Sequence, residues 1–150
     1  MIRTMVATAS AVLLGAMISA PARAGLSEAD YQRCAALHDR FNEARAHQDA
    51  DAMAAVFAHD AVRVTPDGVF QGRDAIRRNL ETVITIGLHD FTSERTMSRH
   101  EGDLLFDAGT WHAKLGEVLL QGYYSALLTC AGDHQEILEE TTNVAAPPRH

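Results

Sequence analysis

The chain has 150 residues, with 20 Asp and Glu against 13 Lys and Arg, which gives a formal net charge of -7. The acidic residues are spread along the sequence and no basic stripe is available to neutralise phosphates, so we expect no nucleic-acid partner. The length is typical of one compact domain with one hydrophobic core.

The first 24 residues have the pattern of a cleavable signal peptide. Arg3 precedes the apolar run Met5–Ala20, and Ala22-Arg23-Ala24 is an A-x-A signature, which predicts cleavage after Ala24. An uncleaved anchor is the alternative, although the run is short for a membrane span of about 20 residues. We expect a secreted or periplasmic protein without membrane attachment after cleavage, with a domain over residues 25–146 and a loose tail over 147–150.

Three helices are predicted in the first half of the chain. Ser27 and Asp49 are placed to cap the first two, because their side chains can accept hydrogen bonds from first-turn N–H groups. The third helix follows Gly72. The buried face of the first helix is predicted from its spacing to hold Tyr31, Cys34, Leu37, His38, Phe41 and Ala44.

The second half of the chain is predicted to form strands. Their ranges are Phe91–Arg99, Leu104–Leu115, Val118–Cys130 and Gln135–Val144, with turn residues between them. An early hairpin turns at Pro66-Asp67-Gly68. Helices followed by a strand-only half indicate the α+β class.

The turns predict how the last strands pair. Gly116-Glu117 fits a two-residue type II′ turn that pairs Leu115 with Val118, and a similar turn at Gly132-Asp133 would pair Ser125 with Glu140. One sheet face then holds His112, Thr110, Tyr123, Ser125, Leu127, Leu138, Glu140 and Thr142. The other holds Asp107, Trp111, Tyr124, Leu128, Cys130 and Ile137.

The segment Asp49–Ile76 contains a short helix, a strand, the Pro-Asp-Gly turn, a second strand and a helix that starts at Gly72-Arg73-Asp74. That order resembles the ketosteroid isomerase-like, SnoaL-like branch of the nuclear transport factor 2-like superfamily. The resemblance covers Ser27 to about Asn143. It implies a cystatin-like roll, in which a cone-shaped, curved, mainly antiparallel sheet wraps around three helices and leaves a pocket between them.

The resemblance also indicates which chemistry is missing. Steroid isomerases use an Asp base and an oxyanion hole made of a Tyr and a protonated Asp. By motif these positions correspond to Thr65, Phe41 and Ser125. None of the three supplies the required basic or acidic group, so we do not expect steroid-type isomerisation.

The remaining chemistry depends on a few residues around the expected pocket. Arg63 shares a strand face with Thr65 and could hold a carboxylate, while Glu140 could be a base with a raised pKa; a structural ion pair between them is the alternative. His112 is a second candidate base, and His38 a candidate at the pocket floor. The ligand-binding set is predicted to be Phe41, Met53, Phe57, Arg63, Thr65, Tyr123, Ser125, Leu127 and Glu140.

The eight His residues do not form a metal-binding pattern such as H-x-H or H-E-x-x-H, and no cofactor motif is present. We therefore expect neither a metal nor a cofactor.

The opposite sheet face carries Trp111, Tyr124 and Leu128. The resemblance implies that this convex face packs against a second subunit, so we expect a homodimer through these residues. Cys34 would then lie inside the cone and Cys130 outside it, which argues against a disulfide between them even in an oxidising compartment.

Three functions are consistent with the sequence. The first is an exported domain that binds a small apolar or partly anionic molecule. The second is a lyase, isomerase or cyclase that uses Glu140 or His112 as base. The third is a homodimeric protein-interaction module.

Overall fold

The structure, a computed structural model, describes residues 26–130 and 133–146. The predicted signal peptide, residues 1–24, and the predicted tail, residues 147–150, lie outside the described residues. Among the helices that are described, none combines the length and the apolar character needed to cross a membrane.

Helices and strands follow the predicted order. The helices are α1 (Glu28–Ala46), α2 (Ala50–Ala55) and α3 (Arg73–Thr85). The strands are β1 (Phe57–Thr65), β2 (Gly68–Gln71), β3 (Leu88–Glu101), β4 (Leu104–Leu115), β5 (Val118–Thr129) and β6 (Glu136–Val144). Ser27 caps α1 by accepting from the Asp30 N–H at 3.1 Å, and Asp49 caps α2 by accepting from the Ala52 N–H at 2.9 Å, which confirms both predicted caps.

The strands form one six-stranded sheet in the order β2-β1-β6-β5-β4-β3. Only β1 and β6 pair in parallel; the other described neighbours are antiparallel. The curved, unclosed sheet and the three helices confirm the predicted α+β class and the cone-shaped, cystatin-like architecture.

The main hydrophobic core lies between α1, α2, α3 and the sheet. Met53 and Phe57 belong to it, with 1% and 0% of their surface exposed. Other fully enclosed side chains come from α1, α3 and the sheet strands; they are Leu37, Ile76, Leu80, Leu105 and Leu128.

The predicted register of β4 and β5 is confirmed. Leu115 pairs with Val118, Thr110 with Tyr123, and Ala108 with Ser125. Gly116 has a φ of 58°, the positive value that a type II′ turn needs at its first central residue.

The predicted register of β5 and β6 is wrong by one residue. Ser125 pairs with Thr141, and Glu140 pairs with Ala126. The reason is an irregularity in which Leu127 faces Glu139 while Leu128 faces Ile137, so that the intervening residue of β6 has no partner. Such a bulge lets residues three apart point to the same side, and here it turns both Ile137 and Glu140 inward.

This shift reverses the predicted faces of β4 and β5. Trp111 of β4 and Tyr124 and Leu128 of β5 point into the protein and are buried. They do so because β5 pairs with a β6 whose Ile137 and Glu140 face inward. They therefore cannot form the predicted outer interface. Tyr123, by contrast, points outward and is 57% exposed.

The same reversal brings the two cysteines together. Cys34 of α1 and Cys130, just after β5, are both buried and form a disulfide with a Cα–Cα distance of 5.3 Å. Cys130 does not lie on the outer face, so the expectation that these cysteines form no disulfide is wrong.

The bond joins residues 96 positions apart, so it removes much conformational freedom from the unfolded chain. Replacing both cysteines with Ala is expected to lower the free energy of unfolding by about 2–5 kcal/mol, measured by urea denaturation. Wild-type protein kept in a thiol reductant should show a similar decrease in its free energy of unfolding. Two titratable thiols in wild-type protein denatured without reductant would contradict the pairing.

Candidate functional site

A cavity of about 250 Å³ opens between the helices and the concave face of the sheet. Its apolar walls include Phe41, Val83, Leu88, Phe91, Trp111 and Leu120. Its polar lining includes His38, Asn42, Arg45, Arg63, Thr65, Tyr124, Glu140 and Thr142. These side chains come from α1, α3 and five of the strands.

The structure brings only part of the predicted ligand-binding set to this cavity. Phe41, Arg63, Thr65 and Glu140 line it. Met53 and Phe57 are enclosed in the core beside it.

The predicted residues of β4 and β5 lie on the other side of the sheet. Tyr123, Ser125 and Leu127 alternate with the buried Tyr124, Ala126 and Leu128, so they point away from the cavity. His112 is exposed and pairs with Thr92 on that outer side, which removes it as a base for chemistry in the cavity.

Arg63 and Glu140 form a buried ion pair across the parallel strands β1 and β6. The Arg63 Nε donates to Glu140 Oε2 at 2.8 Å, and Arg63 Nη1 donates to the Asn79 Oδ1 of α3. Arg63 and Glu140 are only 4% and 8% exposed. These contacts favour a structural ion pair over a ligand-binding role for Arg63 and Glu140. Asn79, which was not predicted from the sequence, completes the buried cluster.

The electrostatics of Glu140 do not suit a general base. Burial alone would raise the pKa of this carboxyl, but Arg63 and Arg45, together with the Arg63 hydrogen bond, hold it below its ordinary value of 4.5. The expectation of a raised pKa is therefore wrong. A carboxylate held in its charged form by two guanidinium groups accepts a proton weakly.

Arg45 is the second cation of the cavity, and the sequence analysis missed it. Its guanidinium lies 3.6 Å from the ring centroid of Phe91 and 4.5 Å from that of Phe41. Phe91 in turn stacks on Trp111 with 5.7 Å between centroids. The i, i+4 spacing from Phe41 to Arg45 on a buried helix face was the signal that could have revealed it.

Two glycines allow the inner aromatic rings to lie against the sheet. Gly122 pairs with Trp111, and a Cβ built there would lie 2.5 Å from the indole ring; Gly109 pairs with Tyr124, with 2.8 Å to the phenol. The same Cβ atoms would lie still closer to a backbone carbonyl oxygen of the adjoining strand, so a side chain at either position would disturb both the sheet and its aromatic partner. The cross-strand Gly–aromatic pairs therefore fix the cavity wall.

A second polar cluster shares His38 of α1 and Tyr124 of β5 with the cavity lining. The His38 ring stacks on Tyr124 with 5.0 Å between centroids, and the fully buried Asp107 has its Oδ2 3.2 Å from Arg95 Nε. Burial lowers the pKa of His38 and raises that of Tyr124, so both are neutral near pH 7.

Several buried polar atoms of this wall make no hydrogen bond within the described residues. They are His38 Nδ1, the Tyr124 hydroxyl, the Trp111 Nε1, Asn42 Oδ1, Arg95 Nε and the carboxylate oxygens of Asp107. Such groups are costly to leave unsatisfied. The cavity thus combines apolar walls, unused donors and a guanidinium, which suits binding and polarisation of a ligand better than proton abstraction.

The Arg63–Glu140 pair should contribute to stability in a pH-dependent way. Because folding lowers the Glu140 pKa, its contribution is present above the unfolded-state pKa near 4.5 and is lost as the pH falls through the folded-state value. Glu140→Gln should lower the free energy of unfolding at pH 7 by about 3–5 kcal/mol, since Arg63 is left buried and unpaired.

Urea denaturation at pH 7 and at a series of lower pH values checks this. The difference between wild type and Glu140→Gln should shrink as the pH falls, while Glu139→Gln, on the exposed neighbour, should change stability little. A constant difference at all pH values would contradict the pairing.

Comparison with known proteins agrees with this architecture. Among solved structures, a domain of unknown function with a cystatin-like fold from Nostoc punctiforme matches with a TM-score of 0.71 and 16% identity, over 81% of each chain. A ketosteroid isomerase-like protein from Erwinia carotovora atroseptica matches with 0.67 and 16%, over 81% of this chain and all (100%) of the other. A putative calcium/calmodulin dependent protein kinase II association domain from Xanthomonas campestris matches with 0.67 and 21%, over 78% and 89%.

At these identities the solved structures support the fold alone. No curated protein matches the chain. The SnoaL-like domain family, however, matches residues 38–137, which span α1 to the start of β6. The chain therefore belongs to the SnoaL-like domain family, within the nuclear transport factor 2-like superfamily.

Proposed function

We propose that this domain binds a small, largely apolar molecule in the cavity. The observation that supports the proposal is the cavity itself, about 250 Å³ with mostly apolar walls and a few buried polar groups. Sites for drug-sized ligands occupy about 300–1,000 Å³, so the ligand of this one is small. With the signal peptide that the sequence predicts, binding would take place in the periplasm or outside the cell.

An enzyme that uses the same cavity is the alternative, and the contacts support it less well. Thr65 supplies no base, Phe41 supplies no hydrogen-bond donor, and Glu140 is occupied by Arg63. A lyase, isomerase or cyclase would have to use Arg63, Arg45 or Tyr124 to polarise a carbonyl while a weak base removes the proton.

The binding proposal is tested by blocking the cavity. Leu120→Trp adds a large ring at the cavity wall, whereas Leu119→Trp makes the same change at a neighbour that is 64% exposed and does not line the cavity. Native mass spectrometry of protein from its own host should show a bound small molecule in the wild type and in Leu119→Trp. Leu120→Trp should bind the molecule at least about tenfold more weakly, a loss of about 1.4 kcal/mol, and should therefore show lower occupancy.

Equal occupancy in Leu120→Trp would show that the molecule binds elsewhere. The proposal would be contradicted by two results together. The wild type from its host would show no bound molecule, and calorimetry would detect no binding of a neutral aromatic alcohol.

A specific observation also favours self-association through the outer sheet face. Met97, Phe106 and Tyr123 are exposed there, and Leu127 pairs with Phe106 on the same side. An apolar patch on a sheet face is typical of a subunit interface. We therefore propose a homodimer through these residues instead of the buried Trp111, Tyr124 and Leu128.

Tyr123→Arg should convert a dimer into a monomer, because it places a charge within this patch. Sedimentation velocity over a range of protein concentrations measures the outcome. Val69→Arg is the control, since Val69 is 69% exposed on β2, outside the patch. A wild type that sediments as a monomer at every concentration would contradict the interface.

A further inference from the structure

The charges that line the cavity do not balance. Arg63 is neutralised by Glu140, at 2.8 Å, and the nearby Arg95 is neutralised by Asp107, at 3.2 Å. Arg45 makes no ion pair and no hydrogen bond within residues 26–130 and 133–146. The inner cavity therefore carries one uncompensated positive charge.

Arg45 is half-buried, and its surroundings leave this charge only partly solvated. Its guanidinium lies between the rings of Phe41 and Phe91, which attract a cation but accept no strong hydrogen bonds. Burial lowers the pKa of Arg45 to about 9, so it stays charged near pH 7. Asp67, the other acid of the lining, is exposed at the rim on the turn after Thr65, where water solvates it.

Hydrogen-bond donors lie on the same wall as this charge. The Trp111 Nε1 is buried and unsatisfied. The Trp111 ring stacks on Phe91, whose ring also contacts the Arg45 guanidinium. The Tyr124 hydroxyl is a further unsatisfied donor of the lining. A ligand with an anionic acceptor complements these donors, since guanidinium and N–H groups pair best with carboxylate oxygens.

The rest of the cavity limits the size and character of such a ligand. Other parts of the lining are aliphatic, from Val83, Leu88 and Leu120. A second negative charge would face Glu140, which is already ionised. A single carboxylate on a compact apolar body therefore complements both the charge and the shape.

We infer that the cavity is a site for a small aromatic or aliphatic monocarboxylate, whose carboxylate binds Arg45. This assignment rests on the proposed binding function and specifies the ligand class of that cavity. Arg45 is a binding residue, and Phe91 and Phe41 position it by holding its guanidinium between their rings.

Two matched probes separate charge recognition from apolar binding. 3-Phenylpropanoate carries the carboxylate and 3-phenylpropanamide is its neutral analogue of nearly equal size. Trp111 is the one tryptophan of the chain and lines the cavity, so its fluorescence under selective excitation reports both titrations.

Wild-type protein at pH 7 should bind the carboxylate at least about tenfold more tightly than the amide. Arg45→Gln should abolish this preference while it still binds the amide, and Arg45→Lys, which retains the charge, should keep part of the preference. Arg40→Gln makes the same change on the solvent side of α1 and should behave as wild type.

The two proposals fail in different ways. If the wild type binds amide and carboxylate equally, or if Arg45→Gln retains the preference, the carboxylate assignment is wrong and the apolar binding function stands. If the wild type binds neither probe, both are contradicted. Retained amide binding by Arg45→Gln also shows that the variant is folded.

Discussion

The β-bulge in β6 determines what the cavity of this protein contains. It leaves one residue of β6 unpaired between the partners of Leu127 and Leu128, and so turns both Ile137 and Glu140 toward the helices. Because the pleat alternates, β5 and β4 must then direct Tyr124 and Trp111 inward as well. Without this extra residue the ladder could not place Ile137 in the core and Glu140 opposite Arg63 at the same time.

The buried polar groups follow from that placement. The sheet brings a Glu and an Asp to its concave face, and each lies against an Arg. Buried charges need such partners, since the cost of desolvation is otherwise several kcal/mol, on the order of the whole stability of a domain. Arg45 is the exception, and it is also the cation that lies nearest to the aromatic wall of the cavity, which is why it matters most for ligand chemistry.

Local chemistry made much of the fold predictable from the sequence. The caps at Ser27 and Asp49 and the type II′ turn at Gly116 each depend on a few neighbouring residues, and all are present in the structure. The β5–β6 register was not predictable, because the connection after Thr129 is not a two-residue turn and a bulge leaves little trace in one sequence. That single shift explains the misplaced Tyr123, Ser125 and Leu127, the supposed outer position of Trp111 and the missed disulfide. Arg45 and Asn79 were missed because their roles depend on contacts between elements distant in sequence.

The disulfide has a consequence for the order in which the sheet can be assembled. It closes a covalent ring from Cys34 to Cys130, and β6 lies beyond that ring. Yet β6 is an inner strand, with β1 on one side and β5 on the other. Within the described residues β6 therefore joins β1 and β2 to the rest of the sheet, and its pairing with β1 is long-range, the slow kind of contact in folding. The Arg63–Glu140 pair lies where β1 meets β6, so the polar end of the cavity is completed only when β6 has paired.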